Sequence, residues 1–261
     1  MTLPWLGELW RYRELLYFLA WRDVKVRYKQ ASLGAAWAVV QPFFTMLVFT
    51  LFFGRLAGIP SDGVPYPLFS FCGLAVWTCF AAILSQAGNS LVANSSLITK
   101  VYFPRVLLPA AAAASCLLDL VVALAFLAAM MVYYRVSPGA AIVFAPLLIA
   151  MMVVLALGVS MLLAAVNVRF RDVKHVIPFL VQLWLFVTPI IYPMSFLPAN
   201  YRHIAALNPM TGIVEGLRAS LLGVGTPDWG LIGVSGVASV ALFVLGMLYF
   251  HGAERRFADV V

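Results

Sequence analysis

The chain has 261 residues, of which 64% are hydrophobic and only 10% charged. Mean hydropathy is +1.00 and the formal net charge is +7. So little polar surface cannot coat a soluble globule, so lipid must solvate much of the chain, and basic residues beside apolar runs point to anionic lipid head groups and exclude nucleic acid as a partner.

In chain order, the first 35 residues come before any long apolar run. Leu9, Tyr12, Leu16, Leu19 and Val26 fall on one side of a helical projection, with Arg11, Arg22, Lys25 and Lys29 opposite. With Trp5, Trp10 and Trp21 suited to the head-group zone, this predicts an amphipathic interfacial helix on the cytoplasmic leaflet. No cleavable signal is expected there. Gly34 and Pro42 then let the chain turn from lying flat to standing upright.

Six membrane spans are expected: Ala36 to Ala57, Leu68 to Ala93, Val106 to Tyr134, Ala141 to Val166, Val176 to Met194 and Leu231 to Phe250. Each approaches the roughly 20 apolar residues needed to cross a hydrocarbon core of about 30 Å. The runs are continuous and lack the alternation of a barrel strand, so the fold class is all-α integral membrane, with the whole of 1–261 as one domain. Of the 17 lysines and arginines, only Arg55, Arg135, Arg202 and Arg218 fall on the side opposite the termini, which predicts a multi-pass protein with both termini cytoplasmic.

Between the fifth and sixth spans, Met210 to Leu222 is apolar but too short to cross. A crossing there would also place Arg255 and Arg256 outside. The segment therefore predicts two short re-entrant helices at the outer face, broken at Asn208-Pro209 and bordering a cavity that satisfies their irregular backbone.

Catalytic groupings are lacking. His175, His203 and His251 are scattered over different loops, and no phosphate-binding loop occurs, so the chain itself is expected to bind no metal and no cofactor and to be no enzyme. Cys72, Cys79 and Cys116 read as small buried hydrophobes. Asp119, the one acidic residue near the middle of a span, is a functional candidate by its cost alone; a structural role, held by hydrogen bonds or covered by a neighbouring subunit, is preferred over proton or substrate contact. Glu215 and Arg218, three residues apart, are expected to pair locally. Aromatic residues crowd the first and fifth spans. Trp37, Phe44, Trp184 and Tyr192 are candidates to line a conduit, where flat rings stack on sugar and seal against ions; packing or lipid contact is the plainer account.

Several local sequences occur together in order: Arg22-Asp23-Val24-Lys25-Val26-Arg27-Tyr28, Ser32-Leu33-Gly34-Ala35-Ala36-Trp37, Gln41-Pro42, Leu97-Ile98-Thr99-Lys100-Val101-Tyr102-Phe103-Pro104-Arg105, Asn167-Val168-Arg169-Phe170-Arg171-Asp172, Thr188-Pro189-Ile190-Ile191-Tyr192 and Leu207-Asn208-Pro209-Met210-Thr211. In this the chain resembles the membrane (permease) subunit of ABC-2 exporters for lipid-linked polysaccharides, the O-antigen and capsule type. The resemblance covers nearly the whole chain. It implies a homodimer in the bacterial inner membrane with two separate ATP-binding cassette subunits, which would hold ATP and Mg.

The resemblance further implies a coupling helix at about Asn94 to Phe103 docked on the ATPase, in which Leu97, Ile98, Tyr102 and Phe103 form an apolar anchor and Lys100 a rim charge. It implies a cytoplasmic entry bordered by Leu33 and Gly34, and an outer gate holding Asn208, Pro209, Glu215 and Arg218. Other readings are an ABC-2 exporter of teichoic acid or a small lipophilic compound, a polyprenyl-lipid membrane transferase, and a passive channel.

Overall fold

The computed structural model describes residues 10–29, 34–170 and 172–260. Trp5, Leu9, Ser32, Leu33 and Arg171 lie outside the described residues. Everything regular among the described residues is helical. Helix α1 is Arg13–Lys29, α2 is Trp37–Phe49 and continues as a π-helix over Thr50–Leu56, α3 is Tyr66–Ala93, α4 is Ser95–Lys100 and α5 is Leu107–Tyr134. Then come α6 (Ala145–Arg169), α7 (Val173–Val187), α8 (Ala199–Ala206), α9 (Pro209–Leu222) and α10 (Trp229–Val260). Five helical stretches among these are long and apolar enough to cross a membrane: Trp37–Leu56, Tyr66–Ala93, Leu107–Tyr134, Ala140–Arg169 and Trp229–Glu254.

Helix α3 is the hub. It packs against α2, α5, α6 and α7, and its side chains are buried nearly all round, including Phe69, Phe71, Phe80, Ile83 and Leu84. A helix apolar on every face finds burial only among other helices, which is why the others gather around it. The α6–α10 pair is the most extensive helix contact among the described residues. Gly158 and Gly246 meet there backbone to backbone, and a Cβ built on either would collide with the opposing main chain. Small residues at a crossing let two membrane helices approach closely enough for dispersion to hold them together where lipid gives no hydrophobic drive.

The fifth expected span differs from the prediction. Val176 to Met194 reads as one apolar run, but the helix ends at Val187, and 15 residues give a rod of about 22 Å, short of the roughly 30 Å core. Pro189 disfavours helical geometry in the residue before it, and Thr188 is extended at φ −89 and ψ 136. The predicted pair of short helices follows as α8 and α9, broken at Asn208, which is extended and caps α9 by accepting a hydrogen bond from the Met210 amide at 3.1 Å.

Helix α1 packs along α5, with Leu19 and Val24 buried. Its inner face is largely the one that the projection predicts, with Leu19 in the core and Tyr12 and Leu16 packed against it. The rings of Trp10, Tyr17, Phe18 and Trp21 are exposed, and Val26, at the C-terminal end of α1, departs from the predicted face and is 71% exposed. At that end a charge points inward instead, because Arg27 pairs with Asp119, roughly halfway along α5. Arg13 and Lys25 sit over the exposed rings of Trp10 and Trp21, at 5.1 and 5.8 Å. Past α1, Gly34 adopts φ +48, a left-handed conformation that glycine takes without penalty, and the chain turns there into α2 as the sequence predicts.

Candidate functional site

Three constellations and two exposed helix faces hold the residues singled out from the sequence. The first is the break after α7. Arg218, on α9, is 2% exposed and donates from Nη1 to the Pro189 carbonyl at 2.6 Å and to Glu215 Oε1 at 2.9 Å, and from Nη2 to the Ile190 carbonyl at 2.7 Å. The carbonyls left open where α7 stops are thus satisfied by a guanidinium, which explains how irregular backbone survives in an apolar interior. The guanidinium carbon lies 3.6 Å from the ring centroid of Phe69 on α3. Gly73 makes room for it, since a Cβ there would come within 2.8 Å of Nη2.

Glu215 and Arg218 therefore pair locally as expected, while the further partners of Arg218 on α3 and at the α7 break were beyond sequence reasoning. Asn208 belongs to the same region. Its Oδ1 accepts from the Trp184 indole N–H at 2.9 Å, and its Nδ2 donates to Thr188 Oγ1 at 3.0 Å. Pro209 is buried at the first position of α9. Trp184 is half-buried, edge-on to Phe80 at 5.1 Å, and so ties α7 to α3 and α9. Tyr192 is half-buried and donates to the Phe186 carbonyl at 3.4 Å. A cavity of about 510 Å³ opens between α8, α9 and α10, lined by Arg202, His203, Glu215 and Asp228.

The second constellation is α4 and the loop after it. The predicted apolar anchor is divided. Ile98 and Phe103 are buried in the protein's own second core with Leu19, Leu91, Leu107, Met161 and Phe250, and Leu97 packs against that core. Only Tyr102 projects freely, at 95% exposure, next to exposed Val101 and Lys100. A short helix of one and a half turns has no stable fold alone. Two of its large apolar residues must hold it to the bundle, which leaves fewer for a partner.

The third constellation surrounds Asp119. Its carboxylate accepts from Arg27 and from the Tyr28 hydroxyl, and Arg27 also donates to Gln86 and, at 3.2 Å, to Ser115 Oγ. Burial, reinforced by the Asp119 carboxylate, pushes the Tyr28 phenol up to about 12, so it remains a donor. The structural role preferred for Asp119 is thus realised within one chain, across two helices. Sequence reasoning counted Arg27 as an orientation signal and as part of the Arg22–Tyr28 match, and gave it no partner. A half-buried carboxylate at mid-span demands a partner, and Arg27, on the helix that packs along α5, reaches it. Beside this network is a cavity of about 320 Å³ whose wall includes Gly34, Trp37, Gln41, Thr78 and Gln86.

The remaining candidates lie on exposed faces. Trp37 is 52% exposed at the start of α2, and Phe44 is exposed on the same helix with Leu47, Val48, Leu51 and Phe52. On α7, Val176, Phe179, Leu180, Leu183, Phe186 and Val187 form a second apolar face with no cover among the described residues.

Residues 14–222 match the model of the family described as "ABC-2 type transporter". The chain is 30% identical to the O-antigen export system permease protein RfbA of Myxococcus xanthus, over 97% of this chain and 98% of that protein. It is 26% identical to the protein of the same name in Klebsiella pneumoniae over 95% of each chain, and 23% identical to the polysialic acid transport protein KpsM of Escherichia coli over 90% of each. With a helical membrane bundle and a family match that covers most of its length, the chain belongs to the ABC-2 type transporters.

Proposed function

We infer that this chain is the permease subunit of an ATP-driven exporter that moves a lipid-linked polysaccharide across the bacterial inner membrane. The single observation that carries the reading is end-to-end similarity to permeases named for O-antigen and polysialic acid export. Two copies form the working unit, each bound to a separate ATP-binding subunit that holds ATP and Mg. The uncovered faces of α2 and α7, rich in aromatic residues, support a conduit where two copies meet, because apolar faces that converge can part for a glycan and close against ions.

Both termini are cytoplasmic in this reading. It places α4 and Tyr102 against the ATPase, Gly34 at the entry, and the α8–α9 pair with Asn208, Pro209, Glu215 and Arg218 at the outer mouth. Closure of the ATPase on nucleotide moves α4, and the two permease copies separate. The test is deletion of the gene in its host. Surface polysaccharide should vanish and lipid-linked polymer accumulate inside, with restoration by the intact gene; unchanged surface polysaccharide would overturn the reading.

A further inference from the structure

The cavity between α1, α2, α3 and α5 is partly open, with a largely apolar wall that carries a polar cluster around a charge pair already closed on itself. Asp119 and Arg27 neutralise each other, and Tyr28, Gln86 and Ser115 complete their hydrogen bonds. Its volume of about 320 Å³ falls in the roughly 300–1,000 Å³ range of small-molecule sites. Two groups at its mouth have unused capacity. Trp37 is 52% exposed at the start of α2, just past the Gly34 turn, and the Gln41 side chain, also exposed and one turn further along α2, has no hydrogen bond among the described residues. Thr78 is half-buried in the opposite wall.

A ligand for this site must be uncharged, since a phosphate would have to displace Asp119 from the guanidinium. It must offer hydroxyl groups to amide, hydroxyl and carboxylate partners, and one flat apolar face to an indole ring. A pyranose has all three properties. We propose that this cavity is a binding site for a single pyranose unit, with Trp37 as stacking platform and Gln41, Thr78 and the outer lone pairs of Asp119 as hydroxyl partners. The proposal rests on the export reading for its biological substrate, the sugar of a lipid-linked glycan next to the Gly34 turn. The binding chemistry itself comes from the cavity alone.

The test uses the full chain in phospholipid nanodiscs, free of sugar detergents. Because Cys79 already lines the cavity, Ala38→Cys is made in a Cys79→Ala chain, and Cys79→Ala alone, whose remaining cysteines Cys72 and Cys116 are buried, serves as blank. Methyl glycosides of glucose, galactose, mannose and rhamnose are titrated against maleimide labelling. At least one should give saturable protection, weakened about tenfold by Trp37→Ala or Gln41→Ala and retained in Trp37→Phe. Inorganic pyrophosphate and undecaprenyl phosphate should give none. Absence of protection by every glycoside, or equal protection by the phosphates, overturns the proposal. If deleting the gene leaves surface glycan unchanged while glycosides protect, the export reading falls and the site stands. If deletion removes the glycan and no glycoside protects, only the site falls.

Discussion

The guanidinium of Arg218 lies 3.6 Å above the ring of Phe69 while it holds the carbonyls of Pro189 and Ile190 at 2.6 and 2.7 Å. A single side chain of α9 thereby joins the hub helix to the loose end of α7.

Replacement of Arg218 by Met would leave both carbonyls and Glu215 without their donor. The expected loss is about 3–5 kcal/mol, the cost of breaking a buried pair from one side. Arg218→Lys should recover little, because an ammonium cannot span two carbonyls and a carboxylate in one plane. Thermal unfolding of the purified permease measures both; a melting temperature within error of the parent would refute the clamp.

Tyr102→Ala and Phe103→Ala should separate two adjacent aromatic residues. Tyr102 is 95% exposed and its loss should leave stability within about 0.5 kcal/mol, while co-purification of the ATP-binding subunit falls. Phe103 is buried, and its truncation should cost about 3–5 kcal/mol from the cavity left behind. Equal thermal shifts in the two variants would contradict the division of the anchor.

Breaking the Arg27–Asp119 pair from one side should do more harm than removing it whole. Asp119→Leu or Arg27→Met alone leaves a half-buried charge without its partner, at an expected cost of about 1.5–3 kcal/mol, whereas the double variant should regain most of it. A double-mutant cycle on thermal stability gives the coupling directly. Strictly additive losses would mean that the two residues act independently.

Gly246→Ala should be poorly tolerated although alanine suits an exposed helix better than glycine. The added carbon meets the carbonyl of Gly158, and neither helix can yield without separating the α6–α10 pair. Gly252→Ala, on the same helix with open space around its Cβ position, is the matched control. Loss of folded protein in the first and normal yield in the second is the expected result in detergent size-exclusion profiles.

Hydropathy alone located the long helices, because twenty or so apolar residues leave few alternatives. It overran at α7, since Ile190, Ile191 and Tyr192 extend the apolar run past Thr188-Pro189 while the backbone does not stay helical. The projection of α1 holds for Tyr12, Leu16 and Leu19 and fails at the C-terminal end for a different reason: it sums side-chain polarity, whereas there a carboxylate on another helix draws Arg27 inward and leaves Val26 outside. Likewise Ile98, Phe103 and Tyr102 look alike in a composition argument, and only packing tells which of them the chain keeps for itself. Gln41 enters the sequence reading only within the Gln41-Pro42 match, which assigns it no role; its interest comes from the cavity that three other helices build beside it.

The contact between Gly158 and Gly246 has one more mechanical implication. Two rods whose main chains already touch cannot be squeezed nearer, so α6 and α10 act as a fixed post on one flank of the hub. Any widening or narrowing of the molecule must then be borne by α2 and α7, which hang at the rim with few neighbours and have the freedom that the post has surrendered.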